Sequence, residues 1–181
     1  METSDLNETA GELRDRLQQL RTLTDCLPPA VFSGDADDGI GSHSPGRHIR
    51  HVADHCRAIL NADDGLVDYE SRRRDSELER SPARARRELD ALIADLDRWE
   101  ARHGPEEGVV VQWYRGDGRP ARARSTCLRE LQFVCSHAVH HMSLLRMLLE
   151  QNDMEFPADF GLATSTRLFH YGTKPAGSGA A

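Results

Sequence analysis

The sequence predicts an all-α chain organised as a four-helix bundle, with one short extended or hairpin excursion between the third and fourth long helices. Three observations carry that prediction. Leucines recur at helical spacing in separate segments, two Ser-Pro pairs stand where helices should open, and one β-branched run followed by glycines interrupts the helical pattern. Residues 1–170 are expected to form a single domain and residues 171–181, rich in small side chains, a disordered tail.

The first helix is expected over residues 5–27, where Leu6, Leu13, Leu17, Leu20 and Leu27 are spaced by threes, fours and sevens, and Pro28-Pro29 stops it. Residues 30–43, with Gly34, Gly39 and Gly41, read as a loop. Ser44-Pro45 opens a second helix, a capping hydroxyl followed by a proline suited to the first turn, and the helix ends before Gly65. Residues 68–75 read as an irregular polar crossing. Ser81-Pro82 opens the third helix, with Ala85, Leu89, Leu92, Leu96 and Trp99 as its apolar stripe and Gly104-Pro105 as its stop.

Residues 109–114 are β-branched and aromatic, residues 115–119 read as a turn, and with 120–125 they give the predicted excursion. The fourth helix, capped by Ser125 or Thr126, is expected from residue 128 to about 151, with Leu131, Val134, Leu144, Leu145 and Leu148 on one side. No internal repeat is present.

Composition narrows the function. With 181 residues, a single core needs no disulfide staples. The net charge of −7 disfavours nucleic acid and anionic lipid as partners, both being polyanions. No apolar run approaches the ~18–20 residues of a spanning helix. Residues 1–5 carry no basic-then-apolar leader, so a cytoplasmic protein is expected. Arg72-Arg73-Arg74 is a local basic run, read as a solvated loop that could also hold the carboxylate of a cosubstrate. Cys26, Cys56, Cys127 and Cys135 form no CxxC pair and are expected to be free, buried thiols.

The histidines carry the chemistry. There are nine, three of them in residues 48–55 and three in residues 137–141. On the second helix His48, Asp54 and His55 fall within about 60° of His51. On the fourth, His137 and His141 are one turn apart and His140 flanks them. Imidazoles within an apolar stripe need partners, because burying an unpaired polar group costs about 1–3 kcal/mol. A divalent ion satisfies several at once, and H-x3-H is a helical metal spacing. Hydrogen bonds to backbone, to Asp54 or to Glu130 are the alternative.

Arg50-His51-Val52-Ala53-Asp54-His55 and Ser136-His137-Ala138-Val139-His140-His141 resemble the helix-two and helix-four motifs of the DinB/YfiT-like superfamily of metal-binding four-helix bundles. The likeness follows helix order over roughly residues 5–170, and those two motifs are its specific part. It implies His51, His137 and His141 as metal ligands, with His48 and His55 as alternatives to His51. His48-Ile49-Arg50-His51 also resembles a metal-binding stretch of ergothioneine-pathway sulfoxide synthases, which again selects His51. Many family members continue the second motif with Arg-Gly-Gln, where this chain has Met142-Ser143-Leu144.

The resemblance implies a metal-dependent enzyme of the thiol S-transferase type, with a small-molecule thiol and an electrophile as partners. A metal-dependent hydrolase, a non-catalytic metal-binding or stress-response protein and a metal-free scaffold are the alternatives. Asp54 is the candidate acceptor for a ligand imidazole or general base, and His140 or His55 the proton carrier. Zinc, nickel and iron(II) all accept three histidines. Trp113 and Tyr114 are candidates to line a pocket. A homodimer is compatible with the base rates of oligomers.

Overall fold

A computed structural model describes residues 2–34, 44–62, 64–71, 75–151 and 153–172. The chain is mostly helical. Its elements are α1 (Glu2–Cys26), α2 (Pro29–Ser33), α3 (Pro45–Leu60), β1 (Leu66–Asp68), α4 (Ser76–Arg80), α5 (Pro82–Glu100), β2 (Gly108–Tyr114), β3 (Pro120–Thr126), α6 (Cys127–Gln151) and α7 (Thr164–Tyr171). The loop expected over 30–43 is helical as far as Ser33, and residues 35–43, Arg72–Arg74 and 173–181 lie outside the described residues.

The capping signals act as read. Ser44 Oγ accepts from Arg47 N and Ser81 Oγ from Arg84 N, with Pro45 and Pro82 in the first turns that follow. Thr126, not Ser125, caps α6 by accepting from Arg129 N at 3.3 Å. The stripe Ala85, Leu89, Leu92, Leu96 and Trp99 of α5 is buried, as are Leu6, Leu13, Leu17, Leu20 and Leu27. Each buried leucine contributes about 1.5–3 kcal/mol. The long helices pack pairwise, α1 and α3 each against both α5 and α6.

Three expectations need correction. The chain is not all-α, since β1, β2 and β3 form a sheet in that order. The excursion is a true hairpin, antiparallel from Gly108↔Thr126 to Tyr114↔Pro120, closed by a turn in which Gly118 adopts φ +78°. β1 adds to it in parallel, Leu66 facing Val110, so part of the expected irregular crossing is strand. Residues 76–80, just beyond that crossing, are helical, capped by the Asp75 carboxylate.

The second correction concerns α6. Its buried stripe is Leu131, Val134, Cys135, Ala138, Met142, Leu145 and Leu149, while Leu144 is 38% exposed and Leu148 only half-buried. The helix is rotated so that His137 and His141 sit on one flank of the core, half-buried. The third is Cys26, which is exposed whereas the other cysteines are buried.

Close approach fixes α3 relative to its neighbours. A Cβ on Gly46 would stand 2.0 Å from the Glu79 carbonyl oxygen and 2.7 Å from Phe32 Cε1, so α4 and α2 press directly on the start of the histidine helix. Among the described residues no helix is long and apolar enough to cross a membrane.

Candidate metal centre

The packing of α3 on α6 brings the two histidine motifs face to face. Ring centroids are 4.0 Å apart for His55 and His137, 4.4 Å for His51 and His55, and 5.0 Å for His51 and His137. His141 joins from the next turn, 4.5 Å from His51 and 4.6 Å from His137. His48 Nδ1 lies 2.9 Å from His141 Nδ1, so one of these rings donates to the other. His140 is exposed, its centroid 5.2 Å from His141 and 6.4 Å from His137.

Ligand atoms of His51, His55 and His137 all lie within 4.8 Å of one another, and this group can hold a metal ion. The motifs select His51, His137 and His141, and the closest group includes the first two and leaves His141 out. The third member of the closest group is His55, the alternative, and His141 stands beside it. The donor chemistry fits. His55, 7% exposed, holds Nδ1 2.9 Å from the His51 carbonyl oxygen. A carbonyl can only accept, so Nδ1 carries the proton and Nε2 of the neutral ring carries the lone pair.

Electrostatics keep His141 neutral. The pKa of His141 is lowered to about 3, first by burial and then by the charges that His137, His48, His140 and His55 would carry. A neutral imidazole is the form that ligates a cation. The thiols are suppressed in the opposite sense: burial pushes Cys56 up to about 12 and Cys127 and Cys135 up to about 11. Protonated thiols of this kind are poor nucleophiles.

Asp54, the candidate acceptor or base, has an arginine partner. Its Oδ2 accepts from Arg50 Nη1 at 2.7 Å, and Arg50 Nε reaches Glu79 Oε1 at 2.7 Å. The carboxylate thus belongs to an ion-pair chain joining α3 to α4.

Three residues of the site were not singled out from the sequence for these roles. Tyr69, just beyond β1, stacks on His55 at 5.4 Å, and Phe133 stacks on His137 at 5.7 Å. Tyr69 OH donates to Glu130 Oε2 at 2.8 Å and Ser125 Oγ to Glu130 Oε1 at 2.6 Å. Glu130 is 6% exposed, and burial, followed by the Glu130 charge, pushes the Tyr69 hydroxyl well above its ordinary pKa. The one signal in the sequence was position: Phe133 and Glu130 lie one and two turns before His137 on the same helix flank.

Tyr69 and Phe133 also form the inner wall of a groove of about 470 Å³, completed by Val111, Trp113, Arg129 and Glu130. Trp113 thus lines a groove, though none of the clustered histidines is among that groove's lining residues. Tyr114, at the end of β2, is not among its lining residues.

No protein-family model, curated protein or solved structure matches the chain.

Proposed function

We propose that the chain is a DinB-like metal-binding four-helix bundle that works as a thiol S-transferase. In this reading His51 and His137, with His55 or His141, hold a zinc, nickel or iron(II) ion. One observation carries it: three imidazoles from two helices place their ligand atoms within 4.8 Å. The pairwise packing of α1, α3, α5 and α6 supports the bundle, and the conjunction of two histidine motifs supports the family. A reducing, cytoplasmic setting suits such chemistry.

When bound among neutral imidazoles, a divalent ion lowers the pKa of an adjacent thiol or water. The chain's own residues supply the rest. The aromatic wall of Tyr69, Phe133 and Trp113 gives the groove apolar surface against which a reactant can be oriented and water excluded. Arg124 and Arg129, also in that lining, offer donors for a reactant's carboxylate. In this reading His140, exposed beside His141, would carry a proton between the cluster and solvent.

The test is a thiol-transfer assay with the metal-loaded chain, a panel of low-molecular-weight thiols and a chromogenic alkylating electrophile. Metal-dependent alkylation that disappears in His51→Ala plus His137→Ala is expected. Alkylation at the same rate in wild type, double variant and buffer would overturn the enzyme reading.

A further inference from the structure

A second convergence of donors lies away from the histidine cluster. His103 stands just beyond α5, Glu107 immediately before β2, and Cys127 is the first residue of α6. Their ligand atoms also lie within 4.8 Å of one another.

The hairpin register explains why they meet. Gly108 pairs with Thr126, so the residues flanking the strands must be neighbours. Cys127 N donates to the Glu107 carbonyl at 2.9 Å and Leu128 N to the Pro105 carbonyl at 3.1 Å. Glu107 then reaches back, Oε1 lying 2.9 Å from His103 Nδ1 and Oε2 accepting from Gly104 N at 3.3 Å. Trp99 packs beside the imidazole, ring centroids 4.8 Å apart. Backbone hydrogen bonds thus fix Glu107 and Cys127, and ring packing steadies His103.

An ion pair accounts for His103 and Glu107 and core packing for the burial of Cys127, and what joins them is that the sulfur stands within 4.8 Å of both other donors. The set offers one imidazole nitrogen, one carboxylate oxygen and one sulfur, the donors that zinc takes in mixed sites. Carboxylate and thiolate together balance a divalent charge.

We propose that His103, Glu107 and Cys127 form a second metal site, for a borderline divalent cation of the zinc class, with water completing the coordination. Binding exchanges the Cys127 S–H bond for an S–metal bond, and the proton leaves to solvent. The cation clips the end of α5 to the open end of the hairpin, whose residues Val111, Trp113, Ala123, Arg124 and Ser125 wall the groove. The site is independent of whatever the histidine cluster binds.

Cobalt(II) distinguishes the two sites, because thiolate ligation gives a near-ultraviolet charge-transfer band that an all-imidazole site cannot give. Titrating cobalt(II) into the full metal-free chain, kept reduced with a phosphine, should raise that band to saturation, and zinc should displace it. Cys127→Ser should abolish the band, and His103→Ala should weaken the binding that produces it by about 10–100-fold. Absence of the band in wild type, or its persistence in Cys127→Ser through another cysteine, would overturn the proposal. Should Cys127→Ser fail to fold, His103→Ala decides alone, and unchanged affinity in it would overturn the site.

Discussion

Two helix interfaces of the same molecule are built on opposite rules. Where α1 meets α5, the interior is leucine: Leu13, Leu17, Leu20, Leu89, Leu92 and Leu96 are fully buried. Charges at that rim alternate in sign across the helices, Arg14 with Asp97 and Glu100 at 2.6 and 2.8 Å, Arg21 with Asp90 at 2.7 Å, and Arg86 with Asp25 at 3.0 Å. Where α3 meets α6, the same kind of contact gathers one ionisable group repeatedly. Alternating charges satisfy each other as the chain folds. Burial first, and the gathered imidazoles after it, suppress the protonation of His141, which leaves that ring the lone pair a cation would need. The first interface buries leucine beneath paired charges, and the second gathers imidazoles that could hold an ion.

The contrast can be broken hardest at the leucines. Leu17→Ala should cost about 2–5 kcal/mol in urea unfolding while metal bound per folded chain stays unchanged. Next in size is Gly46→Ala, which sets a methyl against the Glu79 backbone at 2.0 Å. A loss of about 1–3 kcal/mol is expected, with weaker metal binding because α3 itself is displaced.

Acidity sharpens the comparison further. Unfolded, the His141 imidazole regains the ordinary value of 6.5, whereas folded it refuses the proton until about pH 3. The unfolded state therefore binds more protons in that window, and the stability of the metal-free chain should fall as pH drops from 6.5 toward 3 and be level above it. Urea midpoints at pH 7.5 and 5, compared with those of His141→Leu, check this; the variant should lose less on acidification. The smallest effect belongs to the α1/α5 rim. Arg21→Ala should cost less than about 1 kcal/mol, and its effect should shrink in salt.

Much of the first interface was legible in the sequence and less of the second. Leucine spacing on α1 and α5 and the Ser-Pro caps are local signals, and a two-strand excursion announces itself by its β-branched run. β1 does not: three residues paired in parallel with a strand about 40 positions away leave no local pattern. On α6, apolar residues occupy two adjoining faces, Leu144 and Leu148 on one and Leu131, Ala138, Met142 and Leu149 on the other. Contact with α1 and α3 together decided which was buried. That rotation also sets which imidazole stands third. The motifs pointed to His137 and His141 on α6 and to His51 on α3, with His48 and His55 as alternatives to His51; these α3 histidines lie within about one turn of each other, and only ring orientation separates them. Tyr69 and Glu130 depend on a contact between distant segments, invisible to periodicity.

The central claim is that the α3/α6 interface exists to hold a cation, and metal content tests it most directly. Wild type and His51→Ala plus His137→Ala would be loaded with zinc, dialysed and analysed for metal per chain, with circular dichroism confirming that both are folded. Loss of one equivalent in the double variant, with helicity retained, is the predicted result. Equal zinc in the two proteins would contradict it and leave the imidazoles as core side chains.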